Sequence, residues 1–144
     1  MTIHYRYQAV RRQDSPLQKV PSVPITLIGP SDSVNIIALL DSGADISTIS
    51  RDIAESLGLN IKDSTSIAYG LGSKFRTVEK NLRIRFGKGD ENHVIDLPMR
   101  IVVDVIDFPP LLGRYGFFDR FEITIIDALH GIWLKKFQSK IWKK

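Results

Sequence analysis

The chain alternates between short apolar runs and turn-forming segments. Residues 23–28 and 34–40 are two runs rich in Val, Ile and Leu, and the segment between them, GPSDS, is rich in turn-forming residues. Apolar runs of this length, bounded by Gly, Pro and Ser, are typical of β-strands. We therefore predict two strands here, the second of which leads directly into the polar residue Asp41.

The same pattern continues to the end of the chain. It predicts a long hairpin over residues 66–86 with a glycine-bearing tip, a strand within residues 93–105, and a last hairpin made by residues 122–126 and 132–134. Helices are few. Ser50 is placed to be the N-cap of a short helix that Gly58 ends, and residues 115–121 predict a short helical turn. Many short strands with one or two short helices predict an all-β closed barrel or sandwich.

The chain divides into three segments by composition. Its 144 residues include 43% hydrophobic and 25% charged residues, which is typical of one folded globular domain rather than a disordered chain. Residues 1–20 are polar and basic and are interrupted by Pro16, so we interpret them as an N-terminal arm. Residues 21–134 are then the domain, and residues 135–144 are a basic C-terminal tail.

The net charge of +4 comes from this tail. It holds five lysines and no acid, and the remaining chain has 15 basic and 16 acidic residues. We therefore expect no nucleic-acid partner. Phe137, Ile141 and Trp142 interleave with the lysines, a pattern that suits an anionic membrane surface or a partner groove. A solvated terminus explains the same residues more simply, and we favour it over membrane-surface contact.

Several classes of function are excluded or disfavoured. The chain has no cysteine, so disulfides and thiolate catalysis are excluded. His4, His93 and His130 follow no metal-ligand spacing, so we expect no metal and no cofactor. No apolar run approaches the roughly 18 residues of a membrane span, and the first residues lack the apolar stretch of a signal peptide. These features predict a cytoplasmic protein.

Two motifs carry a family resemblance. Residues 38–49, ALLDSGADISTI, resemble the active-site segment of retroviral-type, or retropepsin-like, aspartic proteases. Residues 111–114, LLGR, resemble the second conserved element of that family, and the predicted hairpin tip lies between the two motifs as the flap does. The resemblance covers residues 23–134, and residues 113–121 look closest to cellular, microbial members. It implies a retropepsin-like barrel that cleaves polypeptides.

The chemistry of such a site needs two carboxylates. Sharing one proton, an ionised and a protonated carboxyl group can activate a water molecule and polarise the peptide carbonyl. The chain contains a single Asp-Ser-Gly motif, at Asp41. A homodimer on a two-fold axis, in which Asp41 of each subunit faces its copy, would complete the pair.

The resemblance also implies roles for the neighbouring residues. Ser42 would form a hydrogen bond across the dimer, Gly43 would let the backbone and the substrate approach closely, and Ala44 would keep the cleft floor small. Asp45 would bind the substrate backbone and pair with Arg114, and Leu112 and Gly113 would pack beneath the motif. The flap would contain Tyr69, Gly70, Leu71, Gly72 and Ser73.

The residues leave alternatives open. Asp41 could make an ordinary Asx turn at the end of a strand, and Tyr69 could pack within its hairpin instead of contacting substrate. The whole fold could also be kept as a catalytically weak dimerisation or peptide-binding module. The terminal segments are longer than the short interdigitating termini of viral dimers, so the terminal sheet of those dimers is not expected to transfer.

Overall fold

The computed structural model describes residues 1–10, 16–62, 66–70 and 73–138, which are mostly strands. These residues contain a single α-helix, α1 (Arg51–Ser56). In chain order the strands are β1 (Thr2–Arg6), β2 (Gln8–Val10), β3 (Gln18–Val20), β4 (Ser22–Ile28), β5 (Ser33–Leu40), β6 (Ser47–Ile49), β7 (Ser66–Gly70), β8 (Ser73–Lys88), β9 (Glu91–Val102), β10 (Leu111–Leu112), β11 (Phe121–Ile126) and β12 (Gly131–Lys136).

The central sheet has seven strands in the order β4-β5-β10-β6-β9-β8-β7. β4 also pairs with β8, from Thr26 opposite Arg85 to Ile28 opposite Arg83, and this pairing closes the sheet on itself. Its inward side chains form the core, which includes the fully buried Val23, Leu27, Ile84, Leu97 and Ile101. The predicted all-β class is confirmed, as are the two strands that precede Asp41.

The first residues do not form the irregular arm that we expected. β1 pairs antiparallel with β12 over five residues, and β12 pairs in turn with β11. Ile3, Tyr5 and Tyr7 are buried in the main core. Their alternation with polar residues is the period of a strand that is buried on one side, but the high polar content obscured it. The domain limits at residues 20 and 134 stay predictions.

The antiparallel pair β2–β3 packs against the end of β5. Val10 and Val20 form a small apolar cluster with Leu39, which lies two residues before Asp41. The buried Ser22 hydroxyl accepts a hydrogen bond from the Gln8 main-chain N–H at 3.0 Å and donates one to the Val20 carbonyl at 2.8 Å. This hydroxyl therefore connects the hairpin to the central sheet.

The helical turn predicted over residues 115–121 is wrong. The segment forms irregular turns, and Phe121 already begins β11. Gly116 has a φ of +88°, outside the helical region, and its N–H donates to the Asp119 carboxylate at 3.0 Å. These turns bury Phe117 against the rings of Phe86 and Phe121. Packing of that ring therefore determines the path of the backbone here.

The helix at residues 51–56 is confirmed. Ser50 occupies its N-cap with an extended backbone but makes no side-chain cap hydrogen bond, and Gly58 follows the helix with a φ of +78°. A single 3₁₀ turn, Asp127–Leu129, is the other helical element in the described ranges. None of the helical segments described in the structure has the length and apolar character of a membrane span.

Candidate active site

Asp41 follows the last residue of β5, where a second strand fixes the direction of the chain. β10 runs parallel to β5 and places Leu111 beside Leu39 and Leu112 beside Leu40. The Asp41 N–H then donates to the Leu112 carbonyl at 3.0 Å. The two motifs, 70 residues apart in sequence, therefore meet at the start of the Asp-Ser-Gly loop.

The loop is held in shape by Asp41 itself. Its Oδ1 accepts the Gly43 N–H at 2.9 Å, and its carbonyl accepts the Ala44 N–H at 3.1 Å. Asp41 is half-buried, whereas Ser42 and Gly43 are exposed. Asp41 Oδ2 and the Ser42 hydroxyl make no hydrogen bond to any residue that the structure describes. The carboxylate is thus fixed on one side and available for another group on the other.

The chain after β10 runs beneath this loop and is bonded to it repeatedly. The Arg114 N–H donates to the Ala44 carbonyl at 2.9 Å, and the Tyr115 N–H donates to the Asp45 carbonyl at 2.8 Å. A Cβ added at Gly113 would lie 2.8 Å from the main-chain carbon of Ile46. Because backbone atoms cannot move aside like a flexible side chain, this close approach requires glycine.

Ser47 is a supporting residue that the sequence analysis missed. Its side chain is completely buried, and its hydroxyl accepts the Gly113 N–H at 2.9 Å. Ser47 and Ile49 are the buried positions of β6. A polar residue at a core-facing position of a strand needs a hydrogen-bond partner, so the alternation itself contained a usable signal.

The expected ion pair between Asp45 and Arg114 is not formed. Asp45 Oδ1 lies 3.6 Å from the Arg100 guanidinium and accepts the Ile46 N–H at 2.9 Å. Arg114 is exposed, and its described contacts with the loop are made by its main chain. Arg100 lies on β9, 55 residues from Asp45, so only the strand order brings the two together.

The predicted flap segment forms a hairpin. β7 and β8 pair from Ser66 opposite Thr77 to Gly70 opposite Ser73, while Leu71 and Gly72 lie outside the described residues. Tyr69 is 77% exposed, with the Lys74 ammonium 5.9 Å from the centre of its ring. Tyr69 therefore does not pack into the core from this hairpin.

The base of this hairpin is attached to the end of β9. The Arg76 N–H donates to the Asp104 carboxylate at 2.8 Å, and the Arg76 guanidinium also contacts that carboxylate. These two interactions, chiefly the main-chain hydrogen bond, hold the pKa of Asp104 below its usual range. The Val103 N–H donates to the Arg76 carbonyl at 2.8 Å. The base of the hairpin is thereby bonded to the residues that follow β9.

A comparison of the sequence with models of known protein families shows the family to which the chain belongs. A family model described as aspartyl protease matches residues 23–113, which include the first motif, the hairpin and residues 111–113 of the second motif. The chain belongs to the aspartyl protease family. The predicted membership of an aspartic protease family is thus confirmed. In the part of the chain that the structure describes, no three His, Asp or Glu side chains lie close enough together to bind a metal ion.

Comparison with solved structures finds proteins similar in structure to this aspartyl protease family member. A retropepsin-like aspartic protease from Rickettsia conorii superposes with a TM-score of 0.57 at 15% identity, covering 93% of this chain and 91% of that protein. EIAV protease, solved with the inhibitor HBY-793, gives a TM-score of 0.49 at 20% identity, over 73% and 88% of the two chains. No curated protein sequence matches the chain. At 15% identity the likeness to the Rickettsia conorii protein concerns the fold.

Proposed function

We propose that the chain is one subunit of a homodimeric aspartic endopeptidase, with Asp41 as its catalytic residue. The observation that carries this proposal is the state of the Asp41 carboxylate. It follows the end of β5, where Ala38 and Leu39 are buried; one of its oxygens is held by the Gly43 N–H, and the other has no partner among the described residues. A second Asp41 across a two-fold axis would complete the pair that the chemistry requires.

In this reaction one carboxylate is ionised and the other protonated. The ionised group accepts a proton from a water molecule as its oxygen attacks the peptide carbonyl, and the protonated group donates to the carbonyl oxygen. Two like charges held close together disfavour joint ionisation, so a single shared proton is the stable state of the pair. The exposed Ser42 hydroxyl is available to join the two loops across the axis.

An extended polypeptide is the substrate class that fits this site. It would lie between the loop of Asp41 and the hairpin β7–β8, whose tip residues 69–73 would close over it as a flap. Asp45, which is half exposed beside the loop, would accept hydrogen bonds from the substrate main chain. Gly43 and Ala44 leave room for the substrate backbone near the loop.

The decisive experiment compares Asp41→Asn with Asp52→Asn, a matched change at an exposed position on α1. Wild type and Asp52→Asn should cleave an unfolded protein such as casein at acidic pH and be inhibited by a statine-containing peptide. Asp41→Asn should remain folded and dimeric, as judged by circular dichroism and sedimentation, but lose turnover. Cleavage by purified Asp41→Asn at the wild-type rate would refute the proposal.

Mixing tests whether two subunits share one site. Excess Asp41→Asn protein should suppress wild-type activity, because most wild-type subunits would then lie opposite an asparagine. Activity should also fall more steeply than in proportion when wild type is diluted. If the wild type sediments as a monomer at high concentration yet remains active, the shared-site model is wrong. A folded, dimeric wild type without any turnover would favour the binding-module alternative.

A further inference from the structure

Asp45 lies beside the guanidinium of Arg100, which also lies near a second carboxylate, that of Glu79. The Arg100 guanidinium places Nη1 3.6 Å from Asp45 Oδ1 and Nη2 3.6 Å from Glu79 Oε1. The planar guanidinium thus uses its two outer nitrogens on two different carboxylates. Arginine is suited to this arrangement because its donors project in a fixed fork, whereas a lysine ammonium is a single point charge.

The strand register fixes this trio. Arg100 on β9 lies beside Thr48 on β6 and directly opposite Glu79 on β8. β6 follows the loop that carries Asp45, and β8 continues from the flap hairpin. Arg100 therefore connects the floor of the proposed cleft to the strand that leads into the flap.

The three side chains of Arg100, Asp45 and Glu79 differ in solvent exposure. The Arg100 side chain is 25% exposed, whereas those of Asp45 and Glu79 are 50% and 53% exposed. The cation is thus the more enclosed member, and the carboxylates are open to solvent. Asp45 Oδ1 is occupied by Arg100 and the Ile46 N–H, while Oδ2 has no hydrogen bond to any described residue. This leaves one oxygen of Asp45 oriented by the protein and the other available to a ligand.

We infer that Arg100 is a positioning residue that holds Asp45 in the orientation in which it binds the substrate main chain. The inference rests on the proposed function. Arg100 does not contact the reacting atoms and acts through Asp45, while Glu79 holds the second edge of the guanidinium. Loss of Arg100 should therefore weaken substrate binding far more than it slows the chemical step.

The test measures KM and kcat with a fluorogenic peptide copied from a site that wild type cleaves in unfolded casein. Arg100→Met should raise KM by about ten-fold and change kcat by less than about two-fold, because it removes binding that ground state and transition state share. Arg100→Lys should give an intermediate KM, since an ammonium can reach Asp45 without the fork geometry.

A matched control exists on the same two strands. Arg83 on β8 forms a cross-strand ion pair at 3.0 Å with Asp96 on β9, directly opposite it. Arg83→Met removes an arginine from the same pair of strands without touching Asp45, so its KM and kcat should match wild type. If Arg83→Met raised KM as much as Arg100→Met, general loosening of the sheet would explain both, and the inference would be wrong.

A double-mutant cycle separates positioning from a structural role. If Arg100 acts through Asp45, Arg100→Met should raise KM in the wild-type background and have no further effect in Asp45→Asn. An equal effect in both backgrounds would overturn the inference while leaving the proposed function intact. Calorimetric binding of a statine-containing peptide gives the same comparison without turnover. A wild type that neither cleaves casein nor binds this peptide would overturn the inference and the proposed function together.

Discussion

The hydrogen bond between Ser47 and Gly113 offers a sharp test of how the Asp-Ser-Gly loop is supported. Ser47→Ala removes the hydroxyl that accepts the Gly113 N–H at 2.9 Å, in a position that is completely buried. A buried donor left without an acceptor destabilises a protein by about 1–3 kcal/mol. For a chain of this length that corresponds to a decrease of roughly 3–9 °C in the unfolding midpoint.

Turnover should fall as well. Gly113 lies against the main chain of Ile46 and directly precedes Arg114, which is bonded to Ala44, so a shift of Gly113 moves the loop that carries Asp41. The assay combines thermal unfolding by circular dichroism with initial cleavage rates at a temperature at which every variant is folded. We expect a lower kcat per folded molecule in Ser47→Ala.

Ser22→Ala is the matched control. Ser22 is also completely buried, and its hydroxyl makes two hydrogen bonds, but these attach the β2–β3 hairpin instead of the loop. Its unfolding midpoint should fall by at least as much as that of Ser47→Ala, while its turnover per folded molecule stays near wild type. Equal losses of turnover in both variants, or an unchanged midpoint in Ser47→Ala, would refute this account of the loop.

Three further predictions concern stability. Gly113→Ala should destabilise the fold by about 1–3 kcal/mol in denaturant unfolding, because the new Cβ would clash with the main chain of Ile46. Unchanged stability would contradict this, because it would mean that the main chain of the loop shifts to accommodate the Cβ. Burial raises the pKa of Tyr5 to about 12, so its contribution to stability is complete below pH 10 and is lost as the pH rises towards 12. Tyr5→Phe should therefore flatten the alkaline part of a stability–pH curve, and an identical curve would contradict this. The pKa of Asp104 is lowered by the Arg76 N–H, so this stabilisation is present above about pH 4 and lost as the pH falls further. Asp104→Asn should remove that part of the acid dependence, as measured by urea unfolding at a series of pH values, and an unaltered acid limb would count against it.

Structural features that depend on residues adjacent in the sequence could be predicted from the sequence. The strands before Asp41, the helix that begins after Ser50 and the hairpin over residues 66–86 all follow from local periodicity and turn chemistry. The active-site motif was recognisable because its residues are consecutive. The approach of Gly113 to the loop was expected from the resemblance, and the structure shows the close main-chain contact that makes a glycine necessary there.

Periodicity was misleading where composition or long-range packing decided the outcome. The polar residues of β1 concealed its alternation, and the partner that makes it a strand, β12, lies about 130 residues further along the chain. The segment after Gly113 looked helical, but burial of Phe117 and the positive φ of Gly116 keep it in turns. In both cases contacts with distant residues overrode a local tendency.

The sequence by itself determined that Asp41 follows a β-strand and lies in an aspartyl protease motif, because both features depend on residues that are adjacent in the chain. Which side chains support the site was decided only by the tertiary structure. Ser47 reaches Gly113 across 66 positions, and Arg100 takes the place beside Asp45 that Arg114 was expected to fill. The physical reason is that an ion pair depends on distance in space, and the strand order β10-β6-β9 sets those distances.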